Sequence, residues 1–122
     1  MSIIQVDTFE DLSAGETVDA TYLVHGSLKA WCHYTDATFA AADSFNVTST
    51  TDEGTGDFTT TWNNDFDSAN YALSGMCQSA GNLSINGGNF IAGSCRLLAA
   101  NTTTNGAFDF TDPSTMAVGD LA

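Results

Sequence analysis

Between Leu28 and Val118, apolar side chains recur at every second position, in short runs separated by clusters of Gly, Asn, Asp and Thr. Successive side chains of a strand point to opposite faces, so a period of two marks strands with a buried side. Leu28, Ala30, Cys32 and Tyr34 share one face of the first clear run, and Lys29, Trp31 and His33 share the other. Large side chains on both faces predict a strand covered on both sides. Phe45-Asn46-Val47-Thr48-Ser49 alternates too, with Phe45 and Val47 expected on one face. It runs into Asp52-Glu53-Gly54-Thr55-Gly56-Asp57, a turn in which glycine can take positive φ. Phe58, Thr60 and Trp62 line one face of the next run, and the two runs together predict a β-hairpin.

Shorter strand candidates surround this hairpin. They are Thr21 to His25, Tyr71 to Cys77, Asn82 to Asn89 with its Gly87-Gly88 pair, Phe90 to Ala92, Cys95 to Leu98 and Phe108 to Phe110. After the break at Asp112-Pro113-Ser114, Met116-Ala117-Val118 is the last. Helix signals are poor, Ala40-Ala41-Ala42 being the best local former. About seven to nine short strands joined by polar turns predict an all-β fold, an antiparallel β-sandwich or jelly roll. The expected division is a sandwich over 21–122 and an N-terminal arm over 1–20, where no period is visible and Leu12 to Thr17 reads as a turn. With 122 residues there is room for one core.

Charge narrows the function. Fifteen Asp and Glu stand against two cations, Lys29 and Arg96, for a net charge of −13. Such a surface repels phosphate backbones and anionic lipid, which argues against nucleic-acid and membrane partners. Self-repulsion is strongest where screening is weak. The melting temperature is therefore expected to rise from low to moderate NaCl, and a flat response in a thermal scan would refute that. Met1-Ser2-Ile3-Ile4-Gln5-Val6-Asp7 lacks a basic start and an apolar run, so it is expected to belong to the mature protein.

Signatures of catalysis are missing. His25 and His33 do not form a zinc-protease motif, and no nucleophile elbow, phosphate-binding loop or dinucleotide fingerprint occurs. Cys32 and His33 are adjacent, so a strand would aim them to opposite faces and forbid a dyad. His33 is expected beside Trp31 or at an interface. Three cysteines, Cys32, Cys77 and Cys95, cannot close an intrachain framework, and buried thiols are the preferred reading. Asp52, Glu53 and Asp57 offer hard oxygen ligands in a Gly-containing loop, which makes Ca²⁺ a candidate ligand. Their spacing is not that of an EF-hand, and a solvated turn is the plainer reading. Trp31, Trp62, Phe58 and Tyr71 could stack on a sugar if exposed, although alternating aromatics more often build a core. Trp31, His33, Asp52, Glu53, Asp57 and Tyr71 are thus the candidate surface or interface residues; none is assigned to catalysis, a cofactor or a firm metal site.

The run Lys29-Ala30-Trp31-Cys32-His33-Tyr34, followed by Phe45 to Thr59 with its Gly54-Thr55-Gly56-Asp57 turn, resembles a β-rich domain of bacteriophage virion proteins, above all tail-fibre C-termini. Ala69-Asn70-Tyr71-Ala72-Leu73-Ser74-Gly75 matches a further segment of that family. The likeness spans Lys29 to Gly75, weakens from Cys95 to Val118 and leaves 1–25 uncovered. It implies a non-enzymatic virion surface module assembled in the host cytoplasm, often trimeric, with a major capsid or tail protein as partner. Two departures are read from the sequence: the domain is expected to stand free of a long fibrous shaft, and Thr60-Thr61-Trp62 stands where the family has an apolar strand. They favour a capsid decoration or head-fibre subunit anchored by 1–25 over a complete tail fibre. The alternative is a receptor-binding module for a host surface glycan.

Overall fold

The computed structural model describes residues 5–10, 15–35, 38–77, 82–101 and 103–122, with side chains for all of these except 82–88. Of the turn expected over Leu12 to Thr17, residues 12–14 lie outside the described residues. Two antiparallel four-stranded sheets pack together as a sandwich. The first contains β3 (Leu28–Tyr34), β4 (Ala41–Phe45), β7 (Ala72–Met76) and β10 (Ser114–Val118), in the order β4-β3-β10-β7. The second contains β5 (Val47–Gly54), β6 (Asp57–Trp62), β8 (Asn82–Ile91) and β9 (Ser94–Ala100), in the order β5-β6-β9-β8. Ahead of them lie a small hairpin of β1 (Thr8–Glu10) and β2 (Thr17–Asp19) and one short helix, α1 (Ala20–Gly26).

The all-β sandwich agrees with the alternation, and so does the β5–β6 hairpin. Phe58, Thr60 and Trp62 face inward from β6, and Cys95, Leu97 and Ala99 from β9. Ala30, Cys32 and Tyr34 meet them from β3, and Thr115 and Ala117 from β10. Loop aromatics complete the core. Phe39 stacks on Phe58 at 4.1 Å between ring centres, and Phe66 on Tyr71 at 4.3 Å. The buried Tyr34 hydroxyl bonds Thr60 Oγ1 (2.6 Å) on the opposite sheet and Thr115 Oγ1 (2.9 Å) on its own. A buried hydroxyl without such partners would be costly.

Local expectations give way at Thr21 to His25, at Phe45, and at Phe108 to Phe110; over the last of these no strand forms. Thr21 to His25 lies within α1 rather than a strand: Asp19 caps it by accepting the Thr21 N–H at 2.7 Å, and Ser27 N–H bonds Leu23 O at 3.2 Å. Ala41 and Ala42 join β4, because pairing with β3 outweighs alanine's helix preference. Phe45 and Val47 do not share a face. Asn46 between them takes φ 58°, where asparagine is tolerated, and turns the chain from the first sheet to the second. Its amide holds that crossing by accepting Asn64 N–H (2.7 Å) and donating to Asn64 O (3.1 Å).

The cysteines form no disulfide. Cys32 and Cys95 are buried and Cys77 is half-buried. Burial pushes the Cys32 thiol up to about 11 and the Cys95 thiol up to about 12, leaving little thiolate at neutral pH. One thiol per chain, Cys77, is therefore expected to react quickly with Ellman's reagent in native buffer, and all three in guanidinium. Three equal native rates would mean the core is open.

Candidate interaction surface

Strand alternation that buries one side of each sheet determines what the other side shows. In the first sheet the outward residues fall into cross-strand rows, because Trp31 pairs with Phe45 and Met116, and Met116 pairs with Ser74. The row Phe45–Trp31–Met116–Ser74 is flanked by Asp43–His33–Ser114–Met76. Trp31 is half-buried, but Phe45 is 56% exposed, Met116 52% and Met76 74%. Scattered apolar residues on a surface need no explanation, whereas aromatic and methionine side chains aligned across a sheet form a patch.

The outer side of the second sheet is unlike it. Ser49 faces Thr61 and Thr51 faces Thr59, and beside them Arg96 makes a two-point ion pair with Asp57, its Nε lying 2.7 Å from Oδ1. Hydrogen bonding from that guanidinium holds the Asp57 carboxyl below its usual range. Glu53 Oε1 accepts the Thr59 hydroxyl at 3.0 Å, and Asp52 Oδ1 accepts the Gly54 N–H at 2.9 Å. The three carboxylates expected at this hairpin are thus turned to donors of the protein itself. Among the described residues no three His, Cys, Asp or Glu side chains cluster closely enough to hold a metal ion.

Of the sequence candidates, Trp31 and His33 share the outer face of the first sheet; Asp52, Glu53 and Asp57 sit at the far hairpin. Tyr71 is a correction: it is 8% exposed, packed on Phe66, and its hydroxyl donates to Ser94 O at 2.9 Å. No ring face is left for a sugar. Cys32 points into the core and His33 outward, so they form no dyad. Both cations are engaged, Arg96 by Asp57 and Lys29 by Val24 O and Ser27 Oγ. Phe45, Met116 and Met76 were missed in the sequence. The signal for Phe45 was Asn46, a residue that tolerates positive φ and so interrupts alternation.

A second apolar region lies on the arm. α1 buries none of its residues, and Tyr22 is 75% and Val24 59% exposed. Val24, with Val6, Phe9, Leu23 and Leu121, rims a groove of about 860 Å³. His25 Nδ1 bonds Asp120 Oδ1 and ties the helix to the C-terminal segment. No helix among the described residues is long and apolar enough to cross a membrane. Compared with known protein families, curated proteins and solved structures, the chain matches none.

Proposed function

We propose that this chain is a non-enzymatic structural protein of a phage particle, a capsid decoration or head-fibre type of subunit that its N-terminal arm holds to a capsid or tail protein. The observation that carries this reading is an arm in which none of the described residues is buried. Isolated helices shorter than about 12–15 residues are marginal, and so is a lone two-stranded hairpin. Here a seven-residue helix and two three-residue strands leave Val6, Phe9, Tyr22, Leu23 and Val24 exposed. Such a segment gains order when a partner covers its apolar side. The sandwich then faces outward, and its acidic surface keeps closely spaced copies soluble.

The test is location. Particles purified from the host that carries this sequence are expected to contain the chain, and immunogold labelling should place it on capsid or tail. A chain lacking residues 1–26 is expected to keep a cooperative unfolding transition but fail to co-sediment with particles stripped of the protein. Recovery from lysate alone, never from particles, overturns the reading. A strong hit on a glycan array would replace it with receptor binding.

A further inference from the structure

Lys29 at the start of β3 lines the arm's groove, but Trp31, Phe45, Met116 and Met76 do not, and attachment through the arm leaves those four uncovered. We propose that two copies of this chain pack face to face through the outer side of β4-β3-β10-β7.

Charge identifies the occupant. A basic partner gains most against an acidic surface, yet these four strands carry one of the chain's fifteen carboxylates, Asp43, on the edge strand β4. A partner that is itself strongly anionic meets the least repulsion here. Two chains of −13 each therefore approach best through the side where acids are scarcest.

Register supplies the symmetry. A two-fold axis parallel to the strands, running between β3 and β10, lays β3 of one copy over β10 of the other. Trp31 then meets the second copy's Met116, a favourable sulfur–aromatic contact, on both sides of the axis. The same operation puts each β4 over the other copy's β7, so the two Asp43 carboxylates stand at opposite edges. His33 falls opposite Ser114, and Asp112, which lies beside that pair, stands at the same end of the face in both copies.

Area sets the strength. Four strands about 4.8 Å apart and about five residues long make a sheet of roughly 19 by 17 Å. Corrugated by its side chains, it would bury on the order of 1,000–1,200 Å² over both copies, the low end for a specific interface. An interface of that size belongs with weak, transient contacts, so the association is expected to be reversible and concentration-dependent.

Sedimentation velocity of the full chain from about 1 to 300 µM in moderate salt tests this. The expected result is a reversible monomer–dimer equilibrium. Met116→Glu, at a half-exposed position where the monomer should tolerate it, is expected to weaken association about tenfold or more by burying a charge. Ser49→Glu on the outer side of the second sheet is expected to leave it unchanged. Should Met116→Glu lose its thermal transition, Phe45→Glu replaces it. A wild-type chain that stays monomeric at the highest concentration overturns the proposal. So does a trimer mass, or association indifferent to both face variants.

Discussion

Phe58→Ala is expected to lower the unfolding free energy by about 3–5 kcal/mol, the usual cost of emptying a large aromatic site in a core. Phe58 is fully buried on β6 and joins two elements at once. Its ring stacks on Phe39 at 4.1 Å and meets the edge of Tyr34 at 5.0 Å. Phe39 holds φ 49°, an unfavourable conformation for an aromatic residue, within a segment also tied by Thr35 N–H to Ala40 O at 2.8 Å. Deleting the ring therefore removes packing on both Phe39 and Tyr34 and opens a cavity between the sheets. Stability of a domain this size is typically about 5–15 kcal/mol, so the variant should melt roughly 10–20 °C lower. Chemical denaturation by urea checks it; a loss below about 1.5 kcal/mol would mean that the two sheets are not closed over this ring. Trp31→Ala provides the contrast, since a half-buried outward side chain should cost the monomer much less while weakening self-association.

How far the sequence shows these features depends on what alternation measures. It registers burial on one side of a strand, so β3, β6 and β10 were legible from Ala30/Cys32/Tyr34, Phe58/Thr60/Trp62 and the run after Pro113. It is silent where nothing is buried. α1 has no buried side, hence no helical period, and its aromatic and β-branched residues read as a strand until the Asp19 cap is seen. The outer face was half legible: Trp31 and His33 follow from parity with Cys32, but Phe45 was assigned to the wrong side because one positive φ at Asn46 resets the count. Tyr71 was misplaced for a different reason. The groups that hold it, Phe66 and the carbonyls of Ile91 and Ser94, come from a loop and from the opposite sheet. No local pattern records contacts made between such distant parts of the chain.

Gly56→Ala is expected to be almost as damaging as the loss of Phe58, at roughly 3–5 kcal/mol, though it adds a single methyl group. Two penalties combine. Gly56 takes φ 65°, where a side chain costs about 1–2 kcal/mol. A Cβ there would also sit 2.3 Å from Ala99 O and 2.6 Å from Phe108 N, both backbone atoms that cannot rotate away. Those atoms already bond each other, Phe108 N–H to Ala99 O at 3.0 Å, while Gly56 O accepts Ala99 N–H at 2.6 Å. Gly56 N–H in turn reaches Asp109 Oδ1 at 2.6 Å. Relief of the clash must pull the hairpin end away from β9 and break this group of bonds. Gly15→Ala separates the two penalties, because Gly15 shares the φ of 65° and its Cβ would meet nothing within 4 Å. It should lose only the conformational part, about 1–2 kcal/mol or less if the arm unfolds separately. Equal losses at the two glycines in parallel urea titrations would show that backbone preference alone, and not the close approach of Gly56 to β9, governs this turn.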